Sequence, residues 1–307
     1  MKRNAEAAVW GALVADSLAL GVHWIYNTNV IDRKVGRVNE LLKPIVKSWH
    51  PNREKGEFTH YGDQTLVLLE SLAGEGGFVP DAFGRAWENL FGSYDGYVDK
   101  ATQAVQANRA AGQGWDQAGS PSTDLGGAAR IAPLVLRYAD NPGELAAAAR
   151  TQTAMTHNQA EVVASALFFA RVTLAVLDGA APAAALKEVI TRAEFAGSPL
   201  AEWVTEGLES AGRDSREIIA AFGQQCEVEA AFPASIHLIA SYPDDYQAAL
   251  IANVMAGGDS ASRGLMVGMV LCAHLGMDAI PQAWTDDLKA RERIAAALQQ
   301  LSPSIPG

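Results

Sequence analysis

Apolar residues recur at helical spacing along almost the whole of this 307-residue chain. No stretch sustains the period-two alternation and β-branched enrichment of a strand, so the chain reads as all-α. Helices are expected near 4–24, 64–74, 80–93, 98–111, 126–138, 143–155, 159–178, 181–195, 199–210, 214–224, 228–241, 245–255, 260–275 and 284–300, each bounded by Gly, Pro or an Asn, Asp or Ser cap. Hydrophobic residues make up 49% of the chain and charged residues only 19%, ample material for one large core. There is no Pro/Ser/Gly-rich linker, internal repeat or charge block, so residues 1–307 read as a single compact multi-helix domain, although the length alone would allow two.

Two of these helices carry stripes of small residues. Gly11, Ala15 and Ala19 lie four apart in the first, and Ser260, Gly264, Gly268, Cys272 and Gly276 do so in the penultimate one. Small stripes let helix backbones approach closely, which makes both helices candidates for the centre of a crowded bundle. Asp16 and Asp259 then lie at depths where a carboxylate needs a partner, because an isolated buried charge costs several kcal/mol or more. Two long connections, Tyr26 to about Gly62 and Gly112 to Leu125, carry Trp49, Phe58, Tyr61 and Trp115 and read as ordered, functional loops.

The formal net charge of -11 would repel a nucleic-acid backbone or an anionic membrane, so neither is expected as a partner. The longest apolar runs, 162–177 and 264–277, are shorter than the ~20 residues of a membrane span and read as core helices. Cys226 and Cys272 lack any C-x-x-C spacing, so buried thiols are expected in place of a disulfide framework or a zinc-thiolate site. The N-terminal run has no secretory pattern, and a cytoplasmic location is expected. Nothing in the sequence fixes the oligomeric state.

Four polar segments each lead into an apolar helix. In Ala256-Gly257-Gly258-Asp259-Ser260-Ala261-Ser262-Arg263-Gly264, two glycines permit a sharp turn, and Asp259 with two hydroxyls sits where a helix start presents unpaired N–H groups. Such a place suits a metal, a phosphate or a sugar, and it also suits an ordinary N-cap. Glu57-Phe58-Thr59-His60-Tyr61-Gly62-Asp63-Gln64-Thr65 reads as turn, cap and helix, with more polar groups than capping needs. Thr156-His157-Asn158-Gln159 precedes a long apolar helix that Thr156 or Asn158 can cap, and His157 either meets a ligand or satisfies a neighbouring carbonyl. Ser122-Thr123-Asp124-Leu125-Gly126-Gly127 leads to Arg130, a candidate anion partner or internal ion pair.

The order of these segments resembles the ADP-ribosylglycohydrolase family. The resembling pieces are Gly-x-x-x-[small]-Asp near the N-terminus, Tyr-x-Asp-x-Thr before a helix, Gly-x-Ala-x-Arg-Ile-Ala-Pro, Thr-His, and Gly-Gly-Asp-x-x-[Thr/Ser] with trailing Gly268 and Gly276. They run from Gly11 to about Trp284. The resemblance implies an all-α domain whose cleft, in active members, binds ADP-ribose beside two magnesium ions and cleaves its glycosidic bond to a modified residue. The family's Thr-Asp-Asp triplet falls on Gly62, Asp63 and Gln64, and its Asp-Thr-Asp-Thr run falls on Asp259, Ser260, Ala261 and Ser262, so two of four metal-binding carboxylates are gone. A usual acidic residue falls on His23 and a usual Asn on Leu125, replacements that look like the J-crystallin branch.

Carried over residue by residue, the resemblance implies Asp63 and Asp259 as catalytic groups. It implies at most one Mg2+, held by Asp63, Asp259, Ser260 and Ser262, with the Gln64 carbonyl and waters completing the shell. His60, Tyr61, Gln64, His157, Asn158 and His23, with the Gly257-Gly258 backbone at a helix N-terminus, would position an ADP-ribose or nucleotide-sugar ligand, free or on an ADP-ribosylated protein. A hydrolase, a non-catalytic nucleotide-binding protein and a crystallin-like structural protein all remain open at this point.

Overall fold

The structure, a computed structural model, describes residues 4–45 and 47–301. In chain order the helices are α1 (Ala5–Leu20), α2 (Thr28–Lys34), α3 (His60–Glu75), α4 (Pro80–Gly92), α5 (Lys100–Ala110), α6 (Gly126–Ala129), α7 (Ala132–Arg137), α8 (Pro142–Ala154), α9 (Ala160–Leu177), α10 (Pro182–Val189), α11 (Leu200–Glu209), α12 (Ser215–Phe222), α13 (Val228–Ser241), α14 (Tyr246–Met255), α15 (Ser260–Leu275), α16 (Gln282–Asp286) and α17 (Arg291–Leu301). Among the described residues there is no strand, only isolated bridges such as Ile25 with Gly258.

The small-residue stripes do what the sequence suggests. Helices α1 and α15 form the most extensively packed pair in the fold. A Cβ placed on Gly268 would come within 2.3 Å of the Gly11 carbonyl oxygen, and one on Gly11 within 2.5 Å of both the Gly268 carbonyl and Cys272 Sγ. Backbones this close exclude any larger side chain. One apolar core surrounds the pair, and α9 packs on α15 with Val162, Leu167, Phe168 and Phe169 buried. By length and composition alone α9 could cross a membrane; here 61% of it is buried inside the fold.

Several boundaries differ from the sequence reading for identifiable reasons. The Tyr26–Gly62 connection contains α2, whose cap Asn27 accepts a hydrogen bond from the Asn29 N–H. The expected 126–138 helix is broken into α6 and α7, because Pro133 has no N–H to give the Ala129 carbonyl and its ring crowds that turn. The expected 284–300 helix is broken where Lys289 N–H turns aside to bond the Gly56 carbonyl at 2.9 Å. Helix α9 is capped by Gln159, whose side chain accepts from Val162 N–H, and not by Thr156 or Asn158.

Candidate functional site

Asp259 is the N-cap of α15, its Oδ1 accepting the Ser262 N–H at 3.0 Å. Its Oδ2 lies 3.0 Å from the Tyr61 hydroxyl, which lies 2.8 Å from Asp124 Oδ2. Tyr61 and Asp259 are buried, and Asp124 is partly buried. One hydroxyl proton cannot serve two carboxylates, so the cluster is satisfied when one acid keeps its own proton and hands it to the phenol oxygen. Burial, then the charge of Asp259, pushes Asp124 well above the usual carboxylate range. Burial disfavours charge on Asp259, whereas the Ser262 amide, Arg263 and the Tyr61 hydroxyl favour it, and the net direction is below its ordinary value. The proton therefore rests on Asp124 and the charge on Asp259.

Local geometry makes this possible. Asp124 Oδ1 accepts the Gly126 N–H at 2.7 Å, and a Cβ on Gly126 would fall 2.0 Å from the Tyr61 ring. Tyr61 is positioned by the start of α3, where Thr59 caps the helix and is itself held by buried Asp16: Thr59 N–H and Oγ1 both donate to that carboxylate, at 2.8 and 2.6 Å. Burial pushes Asp16 up to about 7, against the pull of those two hydrogen bonds.

Asp124 opens onto a cavity of about 280 Å³ whose walls include Trp24, Tyr97, Asp99, Cys226 and Glu227. A second space of about 370 Å³ adjoins it, sharing Thr123 and Glu227 and bounded by Trp203. Trp24 takes a left-handed backbone, φ 62°, a conformation that costs a bulky residue on the order of 1–3 kcal/mol. It is held there by the Gly257-Gly258 turn: Trp24 N–H donates to the Gly258 carbonyl at 2.8 Å, and Gly258 N–H donates to the Ile25 carbonyl at 3.0 Å. Both glycines have positive φ, and a Cβ on Gly258 would sit 2.1 Å from the Gln224 carbonyl oxygen. Trp24 meets Tyr97 edge to face at 5.0 Å, giving the cavity an aromatic wall.

Behind that wall lie three buried imidazoles. His23 stacks on Trp24 with Nδ1 3.9 Å from Asp259 Oδ1, and neither of its ring nitrogens has a hydrogen-bond partner. His60 Nδ1 lies 3.3 Å from His50 Nε2, and His60 Nε2 lies 3.3 Å from Asp99 Oδ2. Burial is the main reason all three stay neutral, with His23 and His60 brought down to about 3 and His50 to about 2.

The residues expected from sequence are distributed unevenly around this centre. Tyr61, His23, His60, Ser260 and Ser262 gather near Asp259 or the imidazole wall, and the two serine hydroxyls are buried without partners. Asp63 is committed elsewhere: its Oδ2 takes Arg53 Nη2 at 2.7 Å and the Tyr94 hydroxyl at 2.6 Å, and burial raises it to about 6 despite Arg53. The acid that shares a partner with Asp259 is Asp124. Gln64 is structural, its carbonyl oxygen taken by Trp87 Nε1 and by Arg130. His157 is buried against Gly127 with Nδ1 on Thr156 Oγ1, while Asn158 is exposed. The amides of Gly257, Gly258 and Asp259 already have acceptors in Val254, Ile25 and Gln224, so the expected diphosphate cradle is spent on the turn itself.

Sequence reasoning passed over Asp124, Asp99, Tyr97 and Cys226. Asp124 could have been found as an acid set one residue before Leu125-Gly126-Gly127, inside a segment already singled out. Cys226, expected to be buried, is half-exposed, whereas Cys272 is buried.

The family model of ADP-ribosylglycohydrolases matches residues 1–306. The chain belongs to the ADP-ribosylglycohydrolase family. Similar proteins include crystallin J1A of Tripedalia cystophora, 25% identical over 98% of this chain and 97% of its own length, and crystallin J1B of the same organism, 25% identical over 97% and 96%. An uncharacterized protein of Archaeoglobus fulgidus is 28% identical over 95% and 93%. A solved ADP-ribosylglycohydrolase-related protein complex shares the fold, with a TM-score of 0.71 at 24% identity over 98% of both chains.

As a member of this family the protein departs from the two-magnesium arrangement. At the positions of two family carboxylates stand Gln64, whose oxygen is occupied by Trp87 and Arg130, and Ala261, which is apolar and buried. Asp63 is neutralised by Arg53. These residues do not fit two magnesium ions.

Proposed function

We propose that this protein is a glycohydrolase acting on ADP-ribose or a related nucleotide-sugar, with Asp124 as the proton donor. The single observation that supports it is the pair of acids, Asp259 buried and Asp124 partly buried, joined by one phenol at the wall of a cavity, with environments that push their proton affinities apart; such splitting is how one site holds an acid and a charge side by side at neutral pH. Water attacks the anomeric carbon as the glycosidic bond breaks. Asp124 gives its proton to the departing atom, and Asp99, ordered by Thr102 and facing His60, takes one from the attacking water. Asp259 remains charged behind Tyr61 and favours reprotonation of Asp124. The two adjoining spaces divide the ligand, one for the reacting sugar beside Trp24 and Tyr97 and one for the group beyond it.

Release of ADP-ribose from ADP-ribosylated arginine and serine peptides tests this. Wild type should turn over and Asp124→Asn should not; equal rates, or no release by wild type, overturn the reading. The missing family carboxylates favour a second reading, a protein that binds ADP-ribose without cleaving it. In that case ADP-ribose at about 100 times its Kd adds roughly 2.7 kcal/mol of stability with no product formed. A crystallin-like structural role, suggested by the relatives' names, is opposed by the partnerless buried polar groups around Asp259.

A further inference from the structure

Asp124, Cys226 and Asp259 each present one ligand atom, and these atoms all lie within 4.8 Å of one another. Their placement is set by backbone bonds between the segments that carry them. Leu125 N–H donates to the Cys226 carbonyl at 2.9 Å, Val228 N–H to the Thr123 carbonyl at 2.7 Å, and Asp259 N–H to the Gln224 carbonyl at 2.7 Å. The three ligands are thus preorganised before anything binds. Around a zinc-like ion, O, N and S ligands at 2.0–2.3 Å stand about 3.3–3.8 Å apart, so an inward shift of about 1 Å would close the set. A second, separate observation is His23, buried, with no partner on either nitrogen and Nδ1 aimed at Asp259 Oδ1 from 3.9 Å. That is too long for a hydrogen bond and leaves a nitrogen lone pair beside the cluster.

We propose that Asp124, Cys226 and Asp259, flanked by His23, form a binding site for a single thiophilic divalent cation of the zinc or cobalt class. Thiolate and imidazole donors select such ions, whereas magnesium prefers an all-oxygen octahedron. The set includes only one of the family's metal-binding positions, Asp259, and draws its other ligands from the 122–127 and 223–227 loops. The Cys226 thiol makes a long contact, 4.0 Å, to Glu227 and a hydrogen bond to Asp124, so the bond given up on binding is one between two of the proposed ligands themselves. Binding displaces the thiol proton and the proton on Asp124 into solvent, and two positive charges replace them among the acids.

Calorimetry and absorption spectroscopy with zinc chloride and cobalt chloride on the untagged, metal-stripped full chain test the site independently of any hydrolysis. Wild type should take up one equivalent of either ion, release protons, and show a thiolate-to-cobalt charge-transfer band in the near ultraviolet, while magnesium chloride produces no comparable heat. Cys226→Ser should abolish the band and weaken binding by at least about tenfold, Cys272→Ala should change neither, and Asp124→Asn, which keeps the thiol, should weaken binding by a similar factor. Cobalt binding without the band, or unchanged affinity in both Cys226→Ser and Asp124→Asn, overturns the proposal. Failure of the glycohydrolase reading would leave these results untouched.

Discussion

Two buried polar clusters hang from the first turns of α3, and they differ in how completely they satisfy themselves. In one, Gln64 donates to the His60 carbonyl and accepts from Trp87 and Arg130, Arg130 reaches Thr156, and Thr156 meets His157. Of the fully buried polar atoms of these side chains, only Arg130 Nε lacks a partner among the described residues. In the other, around Asp259, both nitrogens of His23 and the hydroxyls of Ser260 and Ser262 are buried and unpaired. A closed network stiffens the frame; an open one holds capacity for something that is not part of the chain. The same helix therefore separates architecture from chemistry within a few residues.

That contrast can be broken by substitution. Arg130→Met should cost roughly 1–3 kcal/mol, because it leaves the Thr156 hydroxyl without its donor and the Gln64 carbonyl with Trp87 alone; an unchanged urea-denaturation midpoint would remove the closed cluster from the frame. Asp124→Asn should leave the urea midpoint near wild type while lowering hydrolysis by about 100-fold or more, the usual worth of a positioned acid. Wild-type hydrolysis should also fall as pH rises through the elevated titration of Asp124, since the donor is then ionised, and a flat basic limb would exclude it.

Asp16 sharpens the comparison from the structural side. Its folded-state affinity for a proton is raised, to about 7, so its contribution is fully present below the unfolded value near 4 and is lost as pH rises toward 7. The stability of wild type relative to Asp16→Asn should accordingly drop by about 2 kcal/mol between pH 5 and 8, measured by urea melts at each pH. Smallest of all should be Arg216→Ala. The Arg216–Asp32 pair has good fork geometry, at 2.8 and 2.9 Å, but lies in solvent, and its loss should leave the urea midpoint close to wild type.

The helices were legible because burial and period are local properties of a sequence. The α1–α15 contact was legible as well, since Gly11 and Gly268 announce a close approach even though nothing says which helix each will meet. The acid pair was not. Asp124 and Asp259 are joined only through Tyr61, and a partnership among three residues so far apart in sequence leaves no trace in any one segment. Asp63 misled for the complementary reason: its motif position suggests a ligand, but Arg53, from the long connection before α3, neutralises it. The Gly257-Gly258 turn reads in sequence as a place for a ligand, and in the structure its backbone bonds hold Trp24 in a left-handed backbone.

The α1–α15 pairing also sets a timetable for making the protein. Helix α1 is apolar on nearly every face, with 14 of its 16 residues buried, and its main partner follows about 240 residues later. At ordinary rates of synthesis, on the order of 5–20 residues per second, a nascent chain must wait tens of seconds before the mate of its first helix exists. During that interval an apolar helix waits without its main partner, and slowing the ribosome between the two helices should increase aggregation more than slowing it after α15 is made.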